Sequence, residues 1–82
     1  MTTRVEEADA LVGTVDVLVK TLRALGQAGN PDAANRLAAR AWWVLRDAWP
    51  REAERVNGAM HYLARLPQAD DHIEHPLLEE EA

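Results

Sequence analysis

Cysteine, serine and phenylalanine are missing altogether from the 82-residue chain, and tyrosine and lysine occur once each, as Tyr62 and Lys20. Without cysteine there is no disulfide to staple the fold, no thiolate for a metal site and no mark of an oxidising compartment. Without cysteine or serine, catalysis has little to draw on. The four glycines stand scattered at positions 13, 26, 29 and 58 rather than gathered in a phosphate-binding loop. Paired carboxylates such as Glu6 and Glu7 fall on a solvated helix face, where nothing would raise a pKa for acid–base work. Long apolar runs are missing too. The longest spans five residues, 41–45, against the ~20 needed to cross a bilayer. Glu6, Glu7 and Asp9 stand where a signal peptide would begin its apolar stretch. The expectation is a cytoplasmic, non-catalytic protein with no membrane span, no cofactor and no metal.

What is present points to helices. Hydrophobic residues make up 48 % of the chain, too many for a disordered composition. Alanine and leucine, both strong helix formers, dominate the set. Alanine buries little area, and a domain this small buries only ~60 % of the surface its unfolded chain exposes. With no staple available, pairing of two copies is the expected supplement, so a homodimer is anticipated. Charge is unevenly divided. Residues 67–82 hold six of the fourteen acids and no Lys or Arg, while the preceding 66 residues hold eight acids against nine bases. The net charge of −5 therefore belongs to a C-terminal acidic tail, expected to be flexible, and not to the domain.

Three helices are predicted, at about 5–27, 31–48 and 51–66, forming a compact all-α bundle over residues 1–66. In the first, Ala8, Leu11, Val15, Leu18, Leu22 and Leu25 recur at three- and four-residue steps, widened by Val12 and Val19. Gly26-Gln-Ala-Gly29 is its stop, a glycine supplying the left-handed cap. Asn30-Pro31-Asp32 starts the second, with Asn30 as cap and Pro31 at the first helical position. Its buried face is expected to carry Ala34, Leu37, Ala38, Ala41, Leu45 and Ala48. Pro50 ends that helix and opens the third, in which Val56, Ala59, Met60, Leu63 and Leu66 form the stripe. Asn57-Gly58 is a turn signal inside that stretch and a predicted weak point.

The tryptophans sort by register. Trp42 and Trp49, seven residues apart, fall at one edge of the buried face and are expected to pack in the core. Trp43 falls on the opposite side, among Arg36, Arg40 and Asp47 at three- and four-residue spacing. A large ring facing water is unusual, and Trp with Arg is the composition of binding hot spots. Trp43, Arg36, Arg40 and Asp47 are therefore the candidate partner-binding residues. The plainer alternative is a ring lying flat under an Arg by cation–π contact, or packed on a chain end.

Two other constellations carry less. Arg36, Arg40, Arg46, Arg51, Arg55 and Arg65 all fall in the second and third helices, which invites a helix-turn-helix reading. Against it stand a break of only Trp49-Pro50, a near-neutral domain and an acidic tail that would compete with nucleic acid. His72 and His75, with Asp70, Asp71 and His61, resemble a metal cluster only in composition, because nothing would hold them at fixed geometry. The function expected is a protein-interaction module: an accessory subunit, adaptor or regulator. A nucleic-acid-binding regulator using the second and third helices, or a carrier of a small apolar ligand, are the alternatives.

Overall fold

The computed structural model describes residues 4–68. It contains three helices, α1 (Arg4–Gln27), α2 (Pro31–Leu45) and α3 (Pro50–Ala64), and no strand among the described residues. None of these helices is long and apolar enough to cross a membrane. The expected acidic tail lies outside the described residues from position 69 onward.

The cross-contacts fix the topology. Asp16 of α1 meets Arg55 of α3, and further along Gln27 meets Tyr62, so α1 and α3 run in the same direction. Asn35 of α2 donates to the Met60 carbonyl, while Asp32 reaches Gln68, so α2 and α3 are antiparallel. The result is an up-down-up bundle. Its core consists of Val15 and Leu22 from α1, Ala34, Ala38 and Leu45 from α2, and Ala53, Val56, Ala59 and Leu63 from α3. Four of these nine are alanine, and the small side chains let α2 and α3 approach closely.

The end of α1 closes as a Schellman motif. The Asn30 amide donates to the Leu25 carbonyl and the Gly29 amide to the Gly26 carbonyl, and Gly29 takes the left-handed φ of 107°. Gly26 serves a different purpose. A Cβ there would collide with Leu63 Cδ2 and press on Leu66 Cδ1 at 3.0 Å, so its missing side chain is what lets α1 meet the end of α3.

The sequence expectations need correction at several points. Helix α2 ends at Leu45 rather than at residue 48, and residues 46–48 form a turn. The cause is Pro50, whose ring excludes the α conformation at Trp49 (φ −134°, ψ 64°) and clashes with the carbonyl four residues back. The break thus covers four residues, 46–49. Turn length is therefore no argument against a helix-turn-helix, although the near-neutral domain charge still is. The third helix opens at Pro50, one residue early, and ends at Ala64, two residues short of the expected 66. It runs unbroken through Asn57-Gly58, so the turn signal is overridden by helical packing on both sides. Leu37 and Ala48 are exposed instead of buried, and Val12 on α1 is exposed as well. Asn30 makes no side-chain cap. Gln68 substitutes for it, its Oε1 accepting from the Asp32 amide at 3.1 Å.

Candidate functional site

The outer side of α2 is assembled by the pitch of the helix. Ala34, Ala38 and Leu45 turn inward, which leaves Arg36, Leu37, Ala39, Arg40, Trp43 and Val44 facing solvent. Trp43 is 63 % exposed, Val44 76 % and Leu37 48 %. Ala39, Arg40, Trp43 and Val44 line an open, mainly apolar groove. Leu37, Arg40 and Val44 are three and four residues apart, so one apolar strip flanks Arg40 on one side and Trp43 flanks it on the other.

Trp42 and Trp43 differ by one residue and by environment. Trp42 is half-buried and packs against the core, as does Trp49. The two adjacent rings lie 6.5 Å apart at an interplanar angle of 54°. Arg46 bridges them, with its guanidinium carbon 4.0 Å from the Trp43 centroid and 5.5 Å from that of Trp42. The cation on Trp43 is thus Arg46, not Arg36 or Arg40. Helical side chains lean toward the N-terminus, so Arg46 reaches back over residues three and four before it. Arg40 and Arg36 lean away from Trp43 by the same rule. That signal was available in the sequence and identifies Arg46 as the missed residue of the site.

Of the four predicted residues, Arg36, Arg40 and Trp43 share the exposed face of α2. Asp47 does not belong to the helix at all. It sits in the following turn, with its side chain 92 % exposed and an oxygen 3.8 Å from Arg46 Nε. An ion pair that open contributes little. Arg36 and Arg40 make no ion pair among the described residues. Two guanidinium groups without counter-ions thus border an apolar strip.

The opposite side of the bundle is quieter. Asp16 lies between Lys20 Nζ at 3.2 Å and Arg55 Nη2 at 2.8 Å, and Arg55 also approaches the buried Glu52 at 3.6 Å. The hydrogen bond from Lys20 and then that from Arg55 hold the Asp16 carboxyl below its ordinary 3.8. Arg23 covers the Tyr62 ring at 4.9 Å. These charges tie α1 to α3 and are satisfied within the chain. No group of three or more His, Cys, Asp and Glu side chains suited to a metal occurs among the described residues. His72, His75, Asp70 and Asp71 lie outside them. Compared with family models, curated proteins and solved structures, the chain matches none.

Proposed function

We propose that the chain is a small, non-catalytic, cytoplasmic protein-interaction module, an accessory subunit, adaptor or regulator, that binds a protein partner through the outer face of α2. The observation that carries this reading is Trp43: a ring 63 % exposed, yet clamped by Arg46 beside an apolar groove. Exposed Trp and Arg around an apolar centre is the make-up of an interface hot spot. The chemistry it fits is an acidic segment with apolar anchors. The acids would meet Arg36 and Arg40, and the anchors would meet Leu37, Trp43 and Val44. The same reading has two copies pairing, because four alanines among nine core residues leave little stability to spare.

The four-residue turn and the six arginines of α2, α3 and their borders favour one second reading, a nucleic-acid-binding regulator. Affinity capture from native cell extract, with the full chain as bait and mass spectrometric identification, separates the two. The module reading expects a protein whose binding weakens by ~2 kcal/mol or more, about thirtyfold, on Trp43→Ala. It expects no such loss on Arg51→Glu, on α3. Capture indifferent to Trp43, with salt-dependent binding to arbitrary duplex DNA, would establish the regulator instead. Sedimentation of the bait at several concentrations tests the pairing of copies, and a single monomeric species throughout refutes it.

A further inference from the structure

Residues 4–68 carry nine Lys and Arg against eight Asp and Glu, whereas residues 69–82 carry six acids and no Lys or Arg. The bases of the domain are not equally available. Lys20 and Arg55 share Asp16, Arg23 covers Tyr62, and Arg46 lies on the tryptophans. Arg36 and Arg40, like Arg4, Arg51 and Arg65, have no counter-ion among the described residues, but Arg36 and Arg40 are the two that stand beside the exposed apolar strip of α2 formed by Leu37, Trp43 and Val44.

The chain leaves α3 toward that same helix. The Gln68 side chain holds the Asp32 amide in the first turn of α2, one turn below Arg36. The sequence that follows is Asp70-Asp71-His72-Ile73-Glu74-His75-Pro76-Leu77-Leu78-Glu79-Glu80-Glu81, with a leucine pair bracketed by acids. Along a helix rising ~1.5 Å per residue, Arg36 lies about 6 Å from Asp32, Arg40 about 12 Å and Trp43 with Val44 about 17 Å. A random coil of the length from Gln68 to the leucine pair spans about 17 Å, at ~5.5 Å times the square root of its length, and like charges lengthen such a chain rather than shorten it. Span and distance match, the condition under which the effective concentration of a tethered segment is highest, of millimolar order.

We propose that residues 70–81 occupy the outer face of α2 in their own chain, the acids on Arg36 and Arg40 and Leu77-Leu78 in the groove of Ala39, Trp43 and Val44. This rests on reading that face as a docking surface. The segment is then a built-in competitor. At a millimolar effective concentration, an intrinsic dissociation constant of ~1 mM leaves the face half occupied and weakens an external partner about twofold. A contact ten times tighter weakens it about tenfold. The groove by Asp16, Lys20, Arg23 and Arg55 is the rival position, but its cations already have partners.

Because the chain has no cysteine, a single nitroxide can be placed in the full-length protein by His75→Cys, which keeps every acid and both leucines. With the label oxidised, the amide signals of Arg36, Arg40 and Trp43 are expected to fall to about half or less of their reduced-label intensity. Gly13 and Gly58, on the outer sides of α1 and α3, should keep theirs. Arg36→Glu with Arg40→Glu should restore the α2 signals, as should Asp70→Asn, Asp71→Asn and Glu74→Gln together, which leaves the bundle untouched. Salt at ~1 M, with its ~3 Å screening length, should weaken the effect. Uniform broadening of all three helices, or broadening centred on Lys20 and Arg55, overturns the proposal. So does broadening found only when labelled and isotopically enriched chains are mixed, since the segment would then come from a second copy. A partner still captured through Trp43 with no broadening on α2 removes this inference alone. Broadening on α2 with capture indifferent to Trp43 supports it and removes the module reading.

Discussion

Three glycines lie inside helices, and the structure assigns the same substitution opposite signs at them. At Gly26 an added Cβ collides with Leu63 Cδ2 and presses on Leu66. Leu63 is only 1 % exposed, so its methyl has nowhere to retreat. Overpacking of this kind costs ~1–3 kcal/mol. The gain in helix propensity recovers only part of it, because Gly26 stands next to the last residue of α1. Gly26→Ala should therefore destabilise by about 1–2 kcal/mol, lowering the melting temperature by roughly 4–8 °C per kcal/mol in a domain of this size. At Gly13 and Gly58 nothing lies within 4 Å of the added atom. Each sits mid-helix, so alanine should stabilise by ~1 kcal/mol. Thermal melts followed by circular dichroism, on all three variants at one protein concentration, give the comparison. Equal stability of Gly26→Ala and the parent would refute the close approach of α1 to the end of α3. Gly13 also reports on self-association. It lies on an exposed side of α1 with Ala10, Thr14 and Val17, the Thr14 hydroxyl being spent on the Ala10 carbonyl. Destabilisation by Gly13→Ala would mean that something outside the chain packs there.

The remaining predictions concern the aromatic clamp and the α1–α3 ion pairs. Trp42→Ala should cost ~2–3 kcal/mol of stability in chemical denaturation, below the ~3–5 of a fully buried ring because Trp42 is half-buried. Arg46→Ala should cost no more than ~1 kcal/mol, the scale of an exposed cation–π contact, yet weaken partner binding about two- to tenfold by freeing the Trp43 rotamer. Asp16 has a lowered pKa in the folded state, so its contribution is complete above its ordinary 3.8 and is lost as pH falls through the folded value. As pH falls below about 4 the melting temperature of the parent should accordingly fall more than that of Asp16→Asn. Parallel curves for the two proteins would remove Asp16 from the acid response.

How far the sequence reveals this molecule depends on the range over which each feature is decided. The course of α1, its glycine stop and the opening of α2 at Pro31 follow from neighbouring residues alone, and the structure has them where local rules put them. The separation of Trp42 from Trp43 also follows, because one residue is a 100° step around a helix. The end of α2 was misread although its cause is local: a proline at 50 disturbs the preceding turn, not just the residue before it. Leu37 was misread for another reason. Periodicity gives the direction of an apolar stripe but not its buried width, and α1 and α3 cover only the side of Ala34, Ala38 and Leu45. Nothing local announces Gln68 as the cap of α2, since donor and acceptor are 36 residues apart. The site divides in the same way. Trp43, Arg36 and Arg40 were legible from register, Arg46 from the lean of helical side chains, and the loss of Asp47 to the turn from Pro50.

The two adjacent tryptophans give the outer face of α2 a property that exposure alone would not. An exposed ring on a free helix samples several rotamers, and fixing such a side chain on binding costs ~0.5–1.5 kcal/mol. Here the neighbouring ring is packed against the core, and one guanidinium lies over both. Trp42 is held by the bundle, Arg46 is held by Trp42, and Trp43 is held by Arg46. Part of the ordering cost of a contact at Trp43 is thereby met during folding, by a residue that faces inward. The spacing that permits it is narrow. Trp42 must fall on the edge of the buried face, Trp43 beyond it, and the arginine three and four residues later so that its side chain leans back over both. Arg40, three residues on the other side, leans away from the ring and lines the groove instead. One cation therefore sets the geometry of the surface, while two others, Arg36 and Arg40, stand beside it with no counter-ion among the described residues.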